Sequence, residues 1–396
     1  MKIKITLDKM ILILATVLLI FHTFTFFQAY YNFIATAVIF LSILILDVFR
    51  KRKCVFNNEN KAVWRLAVAT LVVIAIGILV KGEGAIIMWG SYLPFIMWPT
   101  IYVITEPIFD VKSRKKVVNL FLVIFAIGVI ATLRVVMRDN EAARLLAGAA
   151  TEAERAEYYK QGVGGYGFIY GTVFVLFCLL TWAVQEKNAT TRIGLIALIV
   201  PCFMLVIFAS YTAALLLTLV VTFLSIYTRT KRRNTMLIIL IGVVVIVLLW
   251  EPILLGLYDV AKQLELHWIV KRIRQLLEAS SSGDFEGLKR VELYELSLDT
   301  FINNIWIGGE KMGAHSFFFD SMAKYGLFGV FFISSFCAWL NDLRKKCSGA
   351  RGMVYFVCMM FLCINTMDVL VFLPIISLLI PVFLQSVEDR RNHQKA

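Results

Sequence analysis

The chain has 396 residues, of which 60% are hydrophobic and only 17% charged, with 31 Phe and a mean hydropathy of +0.80. Soluble domains average roughly 45 to 50% apolar and about 25% charged residues. The composition therefore excludes an ordinary soluble enzyme, a disordered chain and a disulfide scaffold, and it predicts an all-α, polytopic integral membrane protein. The net charge of +13 does not indicate a nucleic-acid partner, because the surplus lies in short loops between apolar stretches.

Apolar stretches long enough to cross a hydrocarbon core of ~30 Å recur along the whole chain. Twelve spans are predicted, and they form one transmembrane domain over residues 1–396. They cover residues 9–27, 29–48, 66–81, 85–105, 117–134, 166–185, 193–209, 212–228, 234–250, 316–340, 352–368 and 370–387. Short cytoplasmic loops retain Lys and Arg, so the positions of these residues place both termini in the cytoplasm and predict contacts with anionic membrane lipids.

Two of the predicted outer connections are long, whereas the others have only a few residues. They cover residues 134–165 and 251–315. Connections beyond ~15 residues are uncommon in compact domains unless they carry function, so the second is the predicted catalytic loop. Within it, helical periodicity predicts an interfacial helix over 262–278 and a second short helix over 287–301.

Polar residues recur at every fourth position where the second loop enters the tenth span. Ser316, Asp320 and Lys324 form a stripe on an otherwise aromatic helix. Ionisable groups at membrane depth usually face a bundle interior or an aqueous cavity and mark function. The alternative is that Asp320 and Lys324 pair with each other near the lipid headgroups.

One of the four His residues stands out by its surroundings. His315 follows a glycine-rich stretch, precedes a Ser and has carboxylates nearby at Glu310 and Asp320. A neutral imidazole accepts a proton from a hydroxyl nucleophile near pH 7, and a carboxylate would orient the ring. The sequence therefore offers His315 as a general base, with a purely structural His as the alternative.

Arginines in both outer loops suit a phosphate-bearing ligand, because a guanidinium group offers paired donors to phosphate oxygens. The candidates are Arg138, Arg144, Arg272, Arg274 and Arg290. Acidic residues at least balance the basic ones in both loops, so a general attraction to anions does not follow. Snorkelling to lipid headgroups is the alternative interpretation for each of these side chains except Arg290.

No cofactor and no metal are expected. The sequence has no P-loop, and its seven Cys residues include neither a CxxC pair nor a Cys/His cluster. The glycine-rich run at 162–171 is predicted to make a tight re-entry and close helix packing rather than a phosphate cradle.

A family resemblance rests on the end of the second loop. Arg290 followed by VELYELSLDTFINNIWIGG and then GAHSFFFDSMAKYGLFG resembles the signature of the O-antigen polymerase and O-antigen ligase superfamily. The end of the first loop, YYKQGVGGYGFIYG, is similar to a segment of the polymerases. Two positions depart from the pattern: Tyr211 follows Ser210 where many members have Arg, and Ile305 replaces a Pro.

The resemblance implies a glycosyltransferase of the bacterial cytoplasmic membrane that joins undecaprenyl-pyrophosphate-linked repeat units on the outer face. Donor and acceptor glycans would be its partners, together with a chain-length regulator or flippase. By the resemblance, His315 would be the base or position the acceptor, and Arg290 would bind the pyrophosphate or stabilise it as it leaves. The residues themselves add Asp320 as a catalytic candidate that would orient the imidazole. The predicted substrate-binding residues are Arg138, Arg144, Arg272, Arg274, Tyr294, Ser316 and Lys324.

Three other functions remain open at this stage. A ligase would use the same chemistry on a different acceptor, so only its product separates it from a polymerase. A twelve-span transporter or flippase would show paired broken helices and mid-membrane charges in corresponding halves. A structural partner without activity would tolerate substitution of His315.

Overall fold

The structure of the chain is a computed structural model. It describes residues 6–28, 33–51, 60–139, 142–146, 151–209, 211–227, 250–263, 289–346, 349–366 and 369–393, and single positions between 264 and 278. All regular secondary structure in the described residues is helical, which confirms the prediction of an all-α fold.

The helices are numbered here in chain order. They are α1 Leu7–Thr23, α2 Thr25–Gln28, α3 Phe33–Lys51, α4 Lys61–Leu79, α5 Ala85–Thr105, α6 Val111–Val136, α7 Ala142–Arg144, α8 Glu152–Lys160, α9 Tyr166–Gln185, α10 Ala189–Phe208, α11 Thr212–Tyr227, α12 Trp250–Gln263, α13 Lys289–Asn303, α14 Phe317–Tyr325, α15 Leu327–Lys346, α16 Gly349–Asn365 and α17 Ile380–His393. Two 3-10 turns, Glu106–Ile108 and Val369–Phe372, and a π-helical segment, Ile375–Leu379, accompany them.

Six helical segments within the described residues are long and apolar enough to cross a membrane. They are Phe33–Arg50, Lys61–Leu79, Ala85–Ile108, Val111–Val136, Tyr166–Gln185 and Ala189–Phe208. These segments coincide with the second to seventh predicted spans and are those of a membrane-embedded protein.

The layout of twelve spans is not confirmed. The eighth and eleventh predicted spans correspond to the single helices α11 and α16, of 16 and 17 residues, but the tenth and the last are interrupted. The tenth, 316–340, is broken between α14 and α15 at Gly326, whose φ is +60°. A side chain at Gly326 would collide with the backbone of Ile305 and Trp306, so the turn after α13 packs into this break. The last span, 370–387, is divided by the 3-10 and π-helical segments, and residues 234–249 lie outside the described residues.

The second outer loop contains short helices, as predicted, although their boundaries differ. Helix α13 covers nearly all of the predicted segment 287–301. Helix α12 begins within the predicted span 234–250 and ends at Gln263, where the interfacial helix was expected to begin. The predicted re-entry at 162–171 agrees with the structure, because Gly162 has a φ of +75° and α9 begins at Tyr166.

An aromatic cluster positions the helices that carry the candidate site. Phe95 of α5 stacks on Phe317 of α14, with ring centroids 5.5 Å apart. The same ring meets Phe332 and Phe336 of α15 edge-on at 5.0 and 5.5 Å. Offset and edge-on aromatic pairs contribute about 0.5 to 1.5 kcal/mol beyond the area they bury. The cluster therefore holds α14 and α15 against α5 despite the break between them.

Candidate functional site

The segment between α13 and α14 folds back along both helices. The Gly309 amide donates to the Ala323 carbonyl at 2.8 Å, and the Leu327 amide donates to the Ile305 carbonyl at 2.7 Å. Gly308 has a φ of +76°, and a side chain there would meet the backbone of Lys324. Glycine is therefore required at 308 for the chain to approach α14 this closely.

Asp320 is the centre of a buried hydrogen-bond network. Its Oδ2 accepts from the Ser316 amide at 2.8 Å, and its Oδ1 accepts from the Ser297 hydroxyl at 2.7 Å. The Gly313 amide donates to Ser297 Oγ at 2.9 Å. These four residues, called the Asp320 network below, join α13, the loop and α14. Charge-assisted hydrogen bonds of this kind are roughly twice as strong as neutral ones.

In the chain, His315 lies between Gly313 and Ser316 of the Asp320 network, but its side chain is exposed. Gly313 and Ser316, on either side, are buried and held by the network, and Ala314 has a φ of +55°. The described residues contain no hydrogen-bond partner for the imidazole. The network therefore fixes the backbone that carries His315 and leaves the ring open to a ligand.

The structure gives Asp320 a different contact from the one expected. Asp320 was expected to orient the His315 ring, yet its carboxylate binds the Ser316 amide and the Ser297 hydroxyl. In this geometry, Asp320 holds the backbone of Ser316, next to His315.

Lys324 pairs with a residue that the sequence interpretation left out. Its Nζ lies 2.9 Å from Oε1 and 3.0 Å from Oε2 of Glu83, which belongs to the connection between α4 and α5. From the same connection, Lys81 Nζ donates to the Gly308 carbonyl at 2.7 Å. The alternative of an Asp320–Lys324 pair is therefore not what the structure shows.

A cavity of about 190 Å³ lies between α5 and α14 beside the Asp320 network. Glu83, Lys324 and Asp320 line it together with aromatic and aliphatic side chains. The Tyr92 hydroxyl donates to the Tyr325 hydroxyl at 3.0 Å within this lining. The other lining residues are Ile87, Met88, Ser91, Phe95, Met312, Phe317, Ser321 and Leu370. A few convergent polar groups on a mostly apolar wall are typical of a small-molecule site.

Two predicted substrate-binding residues have structural contacts instead of facing the cavity. The Tyr294 hydroxyl donates to Asn365 Oδ1 at 3.4 Å, and its ring lies 5.4 Å from that of Phe319. Ser316 caps α14, because its Oγ accepts from the Phe319 amide at 3.3 Å. Both residues lie close to the site, where they join α13, α14 and α16.

The described arginines do not contact this site. Arg138 is exposed just beyond α6, and Arg274 donates to the Tyr258 hydroxyl at 3.0 Å. Arg272 and the side chains of Arg144 and Arg290 lie outside the described residues. A convergence of Arg290 and His315 on one cavity therefore stays a prediction.

Sequence reasoning missed four residues that shape the site: Ser297 as a network member, Glu83, Tyr92 and Tyr325. Ser297 shares a helix face with Tyr294, which was the available signal for it. Glu83 is the only acid in a short connection between apolar helices, which was a weaker signal. Nothing in the local pattern distinguishes the two tyrosines from other interfacial aromatic residues.

Among the described residues, no group of three or more His, Cys, Asp or Glu lies close enough to hold a metal ion. No protein-family model matches the chain, and no curated protein matches it either. The residues of the site and their geometry are therefore the basis for assigning a function.

Proposed function

We propose that this protein is a polymerase-type glycosyltransferase of the bacterial cytoplasmic membrane. It would span that membrane many times, with both termini in the cytoplasm and the His315 site on the outer face. There it would join glycan repeat units carried on undecaprenyl pyrophosphate. The observation that carries the proposal is an open imidazole on a backbone held on both sides by the buried Asp320 network.

The proposed reaction replaces one bond to an anomeric carbon with another. The hydroxyl of the acceptor sugar loses its proton to the imidazole of His315, and its oxygen forms a bond to the anomeric carbon of the donor. The bond from that carbon to the carrier breaks, and undecaprenyl pyrophosphate leaves with the electron pair. General base catalysis contributes roughly 10² to 10⁴ in rate, so a rigidly placed imidazole suits this step.

The cavity beside the network supports a sugar as the ligand. The carboxylates of Glu83 and Asp320 accept hydrogen bonds, as a polyhydroxylated ring requires. The Phe95 and Tyr92 rings offer apolar surface to its C–H faces. Met312 and Phe317, which lie on either side of His315 in the chain, line the cavity, whereas His315 itself does not. Arg290 and the other predicted arginines would meet the charge on the leaving pyrophosphate.

The test is a polymerisation assay with purified protein and a defined lipid-linked oligosaccharide, read as a ladder of products. We expect His315→Ala to lower the polymerisation rate by about 10²-fold or more. His267→Ala is the matched control, because His267 is also exposed in the same predicted outer segment. A normal ladder from His315→Ala would reject the proposal, and transfer to a different acceptor would indicate a ligase.

A transporter or flippase is the second candidate, and the interrupted helices favour it. The chain breaks its helices at Gly326 and again over 369–379, and discontinuous helices commonly line transporter sites. Proteoliposomes loaded with the same lipid-linked oligosaccharide separate the two functions. A polymerase extends the glycan, whereas a flippase moves it across the bilayer without extending it.

A further inference from the structure

One end of the structure exposes a group of large apolar side chains that includes a turn of the second outer loop. The turn contributes Trp306, which is 74% exposed, and three isoleucines beside it. The end of α4 contributes Leu79 at 82% exposure, and the start of α5 contributes Ile86 at 79%. The group, called the Trp306 face below, consists of Leu79, Val80, Ile86, Ile87, Ile302, Ile305, Trp306, Ile307, Leu327 and Phe328.

Hydrogen bonds hold the three contributing segments side by side. Lys81 Nζ donates to the Gly308 carbonyl at 2.7 Å, which joins the α4–α5 connection to the turn. The Leu327 amide donates to the Ile305 carbonyl at 2.7 Å, which joins the turn to the start of α15. The three segments that contribute to the Trp306 face are therefore adjacent. Monomeric soluble proteins rarely expose so many neighbouring large apolar side chains.

Three charged residues near the Trp306 face have partners within the protein, whereas Glu310 and Lys311, just after the turn, are exposed. Lys324 and Glu83 pair with each other, and Lys81 binds a backbone carbonyl. The sequence has no charged residue from Phe301 to Gly309. Nothing in these contacts requires the turn to lie in water.

We infer that the Trp306 face is buried among the acyl chains of the bilayer, at the boundary with the headgroups. Leu79 ends one membrane-spanning segment and Ile86 lies at the start of the next, so the face continues their lipid-exposed surfaces. Trp is enriched at this depth because its ring is apolar and its indole N–H is polar. Hydropathy predicts that residues 302–307 lie in an aqueous loop, whereas we place them at the boundary of the membrane.

The inference does not depend on the proposed function, but it has a consequence for it. The segment from Gly308 to His315 follows the turn directly, so it would lie at the surface of the bilayer. A lipid-borne substrate would then reach His315 without leaving the membrane.

The test uses the full chain labelled with 5-fluorotryptophan in lipid nanodiscs, observed by fluorine NMR. Trp306→Phe identifies the Trp306 resonance among the eight tryptophans. One relaxation agent is a nitroxide on lipid acyl chains, and the other is a water-soluble gadolinium chelate. Trp64 of α4, which is half exposed within a membrane-spanning segment, is the lipid-facing control, and fully buried Trp98 is the protected control.

We expect the acyl-chain nitroxide to remove most of the Trp306 signal, as for Trp64, and the aqueous chelate to leave it intact. Broadening by the chelate as strong as that by the nitroxide would overturn the inference, because it would place the turn in water. Protection from both agents, as for Trp98, would also overturn it and would show that protein covers the face. Phe is a conservative replacement at an exposed position, so the assignment variant retains the fold.

Discussion

The two predicted outer segments are held in contrasting ways. Around His315, the backbone is fixed by side chains from other elements: Ser297 from α13, Asp320 from α14 and Lys81 from the α4–α5 connection. In the segment 134–165, the short helix α8 begins at a capping box formed by its own neighbours, Thr151 and Glu154. The loop around His315 depends on tertiary contacts. The start of α8 is held locally, and tertiary hydrogen bonds in its segment are made elsewhere, at Ala143 and Gly164.

The contrast explains why the His315 segment is the better place for chemistry. A catalytic group must be held within a fraction of an ångström by its supporting residues. The buried Asp320 network provides such support, because Ser297 of α13 bonds both Gly313 of the loop and Asp320 of α14. The exposed α8 bonds mainly to itself, so its capping box orders one turn of helix without positioning a distant group.

We expect the largest effect on the free energy of unfolding from removing Asp320, the centre of the Asp320 network. Asp320→Ala leaves the buried Ser316 amide without its acceptor and leaves the Ser297 hydroxyl only the Leu293 carbonyl, at 3.2 Å. Leaving such groups unsatisfied costs about 3 kcal/mol in the free energy of unfolding. Equilibrium unfolding in mild detergent measures the loss, and it should exceed that of the matched control Asp299→Ala, because Asp299 is exposed on α13. Equal losses from the two variants would show that the network does not stabilise the loop.

Sequence patterns predict the parts of the molecule that depend on neighbours in the chain. Helices long and apolar enough to cross a membrane cover the second to seventh predicted spans, because each is a long apolar run. The stripe of Ser316, Asp320 and Lys324 follows from helical periodicity, and two of its members line the cavity. The break at Gly326 could not be foreseen from hydropathy, because the residues on both sides are apolar. Its cause is the packing of Ile305 and Trp306 against that glycine.

The partners of the predicted residues were missed for the same physical reason. Lys324 has an acid four residues earlier at Asp320, yet its carboxylate partner is Glu83, which lies in another connection. Asp320 in turn bonds Ser297, on the preceding helix. Helical spacing gives the face on which a side chain lies, but the residue opposite that face depends on how the helices pack.

A smaller effect is expected from the ion pair between Lys324 and Glu83, because both side chains are about 25% exposed. Solvent screens such pairs, and the coupling between them is about 0.5 to 1 kcal/mol. A double-mutant cycle with Lys324→Gln and Glu83→Gln measures it, and added salt should reduce it. The more exposed pair of Lys345 and Asp342, 3.7 Å apart, is the control and should give a coupling closer to zero. An equal coupling energy in both pairs would mean that the cavity does not strengthen the ion pair of Lys324 and Glu83.

The smallest expected effect is confined to α8 and tests whether its order is local. The Thr151 amide donates to the Glu154 carboxylate at 2.8 Å, and this hydrogen bond lowers the pKa of Glu154 below its usual value. The pKa of Glu154 is lower in the folded protein than in the unfolded chain. The capping hydrogen bond therefore stabilises α8 fully at pH values above the unfolded pKa.

That stabilisation is lost as the pH falls through the folded pKa of Glu154. Protection of the first-turn amides of α8 from hydrogen exchange should therefore decrease at acid pH, while the Gly313 amide, whose acceptor is the Ser297 hydroxyl, keeps its protection. Glu154→Gln is the matched control, because Gln makes the same capping contact without titrating. If the two segments lost protection together, the capping box would be coupled to the tertiary contacts, and the contrast between the regions would fail.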